Sequence, residues 1–212
     1  MIPIRENLVP KDKYAIKCPY TRTPTRVVIH NTANDAPAAN EISYMRYNDL
    51  EISFHYAVDD VNIVQGIPEN RNAWASGDGH GKGNMEGIHI EICYSKSGGE
   101  KFAKAEQNAA EFTASLLKKY GWGIDKVTKH RDYDGKYCPH RTLDRGWQRF
   151  LSMVKRYMEP AKAPVASKFT PYLIRKNCRD PLNIRKGPGT NYGVRGQIKD
   201  TLRYTIVEER SG

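Results

Sequence analysis

The stretch GIHIEICY, residues 87–94, restricts the fold more than any other segment of the chain. Ile88, Ile90, Ile92 and Tyr94 alternate with His89, Glu91 and Cys93, the period of a strand whose successive side chains face opposite ways. This is a strand with one apolar face and one face of chemically active groups. The segment 101–120 carries the other period. Phe102, Ala105, Ala109, Phe112, Leu116 and Tyr120 recur on one helical face, and Gly121 follows where helices end in a left-handed residue. A strand leading into a long amphipathic helix is the unit of an α/β protein.

The surrounding sequence repeats the alternation. RVVIH (26–30) is short and β-branched, a buried strand. Residues 35–50 form a helix, with Asp35 as its N-cap and Pro37 in its first turn. SFHYAVDD (53–60) and NIVQGI (62–67) read as a strand pair, and VTKH (127–130) as a further short strand. Residues 143–158 form a last helix with Leu143, Trp147, Leu151, Val154 and Met158 aligned. The expected fold class is α/β, a central mixed β-sheet flanked by helices on both faces.

The run HRDYDGKYCPH (130–140) follows the last strand. Its Gly and Pro argue against a regular helix. His30 and His130 each end a strand, and Cys138 lies eight residues past His130. Open α/β sheets place their sites at strand ends. Two imidazoles and a thiolate suit zinc better than magnesium or calcium, which prefer oxygen, and three protein ligands leave a fourth position open. A single His at a strand end is more often a hydrogen-bonded structural residue, so spacing alone leaves both readings standing.

The segments VVIHNTA, SFHYAVDD, NAWASGDG, GIHIEICYSKSGG and KHRDYDGKYCPHR occur in this order. In that combination residues 1–158 resemble the zinc-dependent N-acetylmuramoyl-L-alanine amidases of the amidase-2 family. These are found in phage endolysins and Bacillus-type autolysins and are related to peptidoglycan recognition proteins. The resemblance implies that His30, His130 and Cys138 bind Zn2+. It implies that the substrate is bacterial peptidoglycan, cut at the amide between N-acetylmuramic acid and L-alanine. It also implies that Glu91 is the proton-transferring carboxylate and that Lys136, two residues before Cys138, stabilises the oxyanion.

The chain departs from the family in two places. Phe54 stands where many relatives carry Tyr, which shifts proton work toward Glu91. Trp74-Ala75 stands where relatives often show a Trp followed by His. Trp74 and Phe54 are candidate substrate-binding residues, with core packing a comparable role for Trp74. The remaining histidines read first as structural: His55 in the core or orienting a ligand, His80 in a loop, His140 bonding near the metal loop. His89 could reach substrate. Asp132 and Asp134 read as turn formers, with Asp132 the one that could hold a metal-bound His. Cys18, Cys93 and Cys178 read as plain thiols.

Residues 159–169 read as a linker rich in Pro, Ala and Lys. Residues 170–212, with LNIRKGPG and YTIVEE, resemble a bacterial SH3-type (SH3b) cell-wall-binding module, a small all-β segment that stops before the family's closing Gly-Trp strand. Charge separates the two parts. Residues 160–212 hold 11 Lys and Arg against 4 Asp and Glu, a balance of +7, whereas residues 1–159 hold 23 against 20, a balance of +3. The basic tail fits an anionic cell-wall polymer.

Nucleic acid is disfavoured, because no basic stripe interleaves with aromatics and no recognised motif occurs. No apolar run spans a membrane and no secretory h-region stands at the start. The expectation is synthesis in the cytoplasm and action at the wall after holin-type release or lysis. The competing reading is a non-catalytic peptidoglycan-binding protein on the same fold. Cys138 argues against it, since such proteins commonly lose that ligand; the tail argues against an intracellular recycling amidase.

Overall fold

The structure, a computed structural model, describes residues 2–159, 172–175, 179–187, 190–200 and 202–206. The chain divides into two compact units, Met1–Pro160 and Ala161–Gly212.

The first unit is built on a six-stranded sheet of order β1-β4-β3-β5-β2-β6. Its strands are β1 (Ile4–Glu6), β2 (Arg26–Asn31), β3 (Tyr56–Val58), β4 (Ile63–Gln65), β5 (Gly87–Ile92) and β6 (Val127–Lys129). Every pairing is parallel except β3 with β4, so the sheet is mixed. The two longest strands, β2 and β5, lie side by side, with Ile29 opposite Ile90 and His30 opposite Glu91. Val27, Val28, Ile29, Ile88, Ile90 and Ile92 are all fully buried. Strands buried on both sides are expected at the centre of a parallel sheet, where helices cover the faces.

Residues opposite one another in a parallel pair share a face. Val28, His30, His89 and Glu91 therefore lie on one side of the sheet, and Ile29, Ile88 and Ile90 on the other. Tyr56, level with Ile90, packs its ring edge-on against Phe112 at 4.7 Å. The isoleucine side is thus covered by α4 (Gly99–Tyr120), the helix expected over 101–120, which ends at Gly121 with φ 67°. Behind it lies α7 (Trp147–Met158), fastened by the buried Glu106, whose carboxylate meets Arg149 at 2.6 Å.

The other helices are short: α1 (Tyr14–Lys17), α2 (Ala38–Tyr47), α3 (Lys82–Glu86), α5 (Arg131–Asp134) and α6 (His140–Asp144). Several depart from expectation. Asp35 is not the cap of α2. The helix starts after Pro37, its first N–H is taken by Asp59 from the end of β3, and Asp35 instead accepts from the Ser97 N–H and hydroxyl. A cap supplied from a distant strand is invisible to local pattern. The helix expected over 143–158 is two helices, because Gly146 at φ 100° breaks it, and Phe150 joins Val154 as a buried anchor. Residues 131–134 form one helical turn where none was expected, ended by Gly135 at φ 82°. The edge strand β1 has no alternation to reveal it.

The second unit, by itself, holds β7 (Tyr172–Arg175), β8 (Leu182–Arg185), β9 (Val194–Ile198) and β10 (Arg203–Ile206). β7 pairs with β10 and β8 with β9, both antiparallel. All of the linker assigned to 159–169 except Glu159, and Cys178 too, lie outside the described residues.

Candidate metal centre

Strand pairing brings the histidines together. β2 and β6 run parallel with Ile29 opposite Lys129, so the next residue of each, His30 and His130, emerges at the same end of the sheet. Their Nδ1 atoms are 3.2 Å apart, across 100 residues of chain. The one-turn helix α5 then reverses the chain, and the Arg131 N–H donates to the Cys138 carbonyl at 3.0 Å. This returns Cys138 to the histidines, its Sγ 4.0 Å from His30 Nδ1. Asn31 secures the return: its Oδ1 accepts from the N–H groups of Arg141 and Thr142 at the start of α6, at 2.9 and 3.2 Å. Among the described residues, His30, His130 and Cys138 form a buried group whose donor atoms all lie within 4.8 Å of one another.

This set fits a metal ion. Two nitrogens each about 2.0–2.1 Å from a tetrahedral zinc lie about 3.4 Å apart, close to the observed His–His separation. The electrostatics agree. Burial holds the pKa of His30 well below the usual range, with His89 adding to the effect. His130 is also lowered by burial, against the opposing pull of Asp134. Both rings are therefore neutral, the form that ligates. Burial, then Glu91, pushes the Cys138 thiol up to about 12. A buried thiol beside a buried carboxyl is costly to ionise unless a cation sits between them, and a divalent ion reverses that cost.

Each imidazole is held from behind. His130 Nε2 is 3.0 Å from Asp134 Oδ2. The carboxylate behind the ligand is thus Asp134 and not Asp132, which binds the N–H and ammonium of Lys129. The helical turn decides this, since it places residue 134 one turn beyond residue 130. His30 Nε2 is 3.0 Å from His89 Nδ1.

A groove of about 480 Å³ opens beside the cluster, lined among others by Glu41, Tyr44, Leu50, Ile52, Phe54 and Glu91. Glu91 has one buried oxygen, Oε2, with no hydrogen-bond partner among the described residues. Burial raises its carboxyl to about 8; Glu41 across the groove adds to the rise, and Lys136 opposes it. Lys136 is exposed, and its charge also bears on His30, His130 and Cys138. Phe54 is buried in the groove wall. Trp74 is not part of that wall. Its indole N–H donates to the Ile16 carbonyl, and its ring faces Tyr20 and His80 around a neighbouring depression. His140 bonds the Ser95 carbonyl, away from the donors.

Residues 20–141 match the profile of the family described as N-acetylmuramoyl-L-alanine amidase. The chain belongs to this family. It is similar to N-acetylmuramoyl-L-alanine amidase XlyB of Bacillus subtilis (strain 168), at 51% identity over 82% of this chain and 57% of the relative. It is also similar to N-acetylmuramoyl-L-alanine amidase CwlA of the same strain, at 52% over 80% of this chain and 65% of the relative. The chain thus spans less than two thirds of the length of either. Among solved structures, PlyL matches with a TM-score of 0.71 and 52% identity over 72% of this chain and 97% of that one. The PlyG catalytic domain matches with a TM-score of 0.72 and 50% identity over 77% and 99%. The mixed α/β fold is therefore that of the amidase family, and the donor cluster and groove lie on it.

Proposed function

We propose that this chain is a zinc-dependent N-acetylmuramoyl-L-alanine amidase that cuts bacterial peptidoglycan at the amide between the lactyl group of N-acetylmuramic acid and L-alanine. Family membership and the names of the relatives support the reaction. The observation that carries the mechanism is the buried set of His30, His130 and Cys138, with Glu91, paired opposite His30 in the sheet, turning a groove-lining carboxylate with one unpartnered oxygen beside it.

In this reading His30, His130 and Cys138 hold the ion. When bound, zinc supplies Lewis acidity toward an amide carbonyl and makes water a nucleophile near neutral pH. Glu91 takes a proton from the attacking water and delivers it to the departing alanine nitrogen, so that water and amide become a carboxylic acid and a free amine, which then exchange a proton to give carboxylate and ammonium. A carboxyl held up to about 8 in the metal-free site is pulled back toward ionisation by a nearby cation, which suits it to both halves of this transfer. Lys136 supplies positive charge for the developing oxyanion. Phe54 forms apolar wall. Trp74 contacts the substrate only where it extends past Ile52, which borders both depressions.

Residues 170–212 act as an SH3b-like segment that holds anionic wall polymer, and the site of action is the cell wall. Digestion of a defined muropeptide, read by mass spectrometry, tests the reaction. Release of the intact stem peptide with a free alanine amine is expected. Cleavage within the peptide or the glycan overturns the proposal.

A further inference from the structure

The face of the sheet that carries the cluster also holds His89, a fully buried titratable side chain that the proposed hydrolysis does not use. His89 Nδ1 is 3.0 Å from His30 Nε2. The other nitrogen of His30 is the one that faces His130 and Cys138. A neutral imidazole has one N–H and one lone pair. His30 can turn a lone pair from Nδ1 toward an ion only if its proton sits on Nε2. Among the hydrogen bonds of the described residues, His89 Nδ1 is the partner that Nε2–H has.

His89 is built to receive that proton. Its own N–H donates to His55 Nδ1 at 3.1 Å, and the two rings stack at 5.5 Å and 15°. The other nitrogen of His55, Nε2, is held between the Arg71 carbonyl at 2.9 Å and the Arg22 guanidinium at 2.8 Å. His55 thus anchors the strand and ring of His89. Nδ1 is the ring nitrogen of His89 that has a partner, since Nε2 is buried without one among the described residues. His130 has a different partner, the Asp134 carboxylate. One ligand is held by an anion and the other by a neutral ring, which fixes orientation without adding charge to the site.

We infer that His89 is the positioning residue of the metal centre: it accepts the His30 Nε2 proton and so keeps His30 Nδ1 free and aimed at the ion. This rests on the reading that the cluster binds zinc. Groups that orient metal-bound histidines in this way typically affect affinity 10–100-fold.

The test compares three variants of the full chain. In His89→Asn the amide oxygen can occupy the place of Nδ1. In His89→Gln it falls near Nε2 instead, and His89→Leu offers no acceptor. Zinc affinity is measured by competition with a fluorescent chelator, and the visible spectrum of the cobalt-loaded protein reports ligand geometry. The Asn variant should stay within about threefold of wild type, with an unchanged cobalt spectrum. The Gln and Leu variants should bind zinc roughly 10–100-fold more weakly, with altered spectra. Equal zinc affinity in wild type, Gln and Leu variants overturns the inference, whatever their melting temperatures. If the Leu variant does not fold, the Asn–Gln difference alone decides. Failure of the underlying metal reading looks different, because wild type then binds no zinc.

Discussion

The candidate metal-binding cluster and the groove beside it share one sheet but are held by different means. The cluster stands on paired strand ends. Its donors are buried, and each imidazole is braced by a second side chain, Asp134 or His89. One part of the groove wall is a loop, residues 48–54, with Leu50 49% and Ile52 62% exposed. That loop hangs on one buried ammonium. Lys17, with no exposed surface, donates to Asn48 Oδ1 at 2.7 Å, to the Ile52 carbonyl at 3.2 Å and to the Leu50 carbonyl. All three donors of the group are spent on the wall. Ser53 adds a second tie, accepting from the Trp74 N–H at 2.9 Å. The lesson is a division of labour. Ladder hydrogen bonds fix what must stay in place to within about 0.5 Å, and a side-chain clamp shapes what meets a variable substrate.

Mutations should separate the two regions. The largest effect belongs to the cluster: His30→Ala or Cys138→Ser should remove zinc and lower lytic activity by more than about 10³-fold, read by metal analysis and dye release from cell walls. Full lysis by a zinc-free variant would defeat the comparison outright. Glu91→Gln should keep stoichiometric zinc yet lose about 10²–10⁴ in kcat. Full activity in that variant would return the carboxylate to a passive role.

The same carboxylate sets a pH dependence in the metal-free protein. Its folded pKa is raised to about 8, from an ordinary value of 4.5. Its contribution to stability is therefore complete below the ordinary value and is lost as pH rises through the folded one. Metal-free wild type should weaken between those pH values by roughly 2 to 4 kcal/mol relative to Glu91→Gln, measured by denaturant unfolding. Parallel curves for the two proteins would contradict the burial argument.

On the groove side, Lys17→Met should lower stability by about 1–3 kcal/mol and raise KM severalfold, with zinc content unchanged. A kcat effect without a KM effect would show the clamp acting on the cluster instead. The smallest change is expected for Trp74→Phe. It loses one hydrogen bond to Ile16, about 1 kcal/mol, and should shift KM less than Lys17→Met does.

What could be read in advance divides along the same line. β5, β2 and α4 were legible because alternation and helical period are local signals, and Gly121 marks its helix end unaided. The likeness of five short segments to one family singled out His30, His130 and Cys138 as candidate ligands, which spacing alone left open, and these are the donors the fold brings together. Illegible were the contacts made across the fold. Asp59, not Asp35, caps α2. Asp134, not Asp132, braces His130, because a helical turn formed where glycine and proline argued against one. No local pattern marks Lys17 as the clamp of residues 48–54. Asn31, beside a candidate ligand, gave no sign that it would hold the start of α6.

By itself the sequence determined which elements form and which residue types could chelate an ion, because strand and helix periods and donor chemistry are properties of neighbouring residues. Tertiary structure alone decided which histidine nitrogen faces the others, what braces each ring, and how the groove wall is tied. Those depend on register between β2, β5 and β6 and on burial, and both arise only when segments a hundred residues apart are packed against each other.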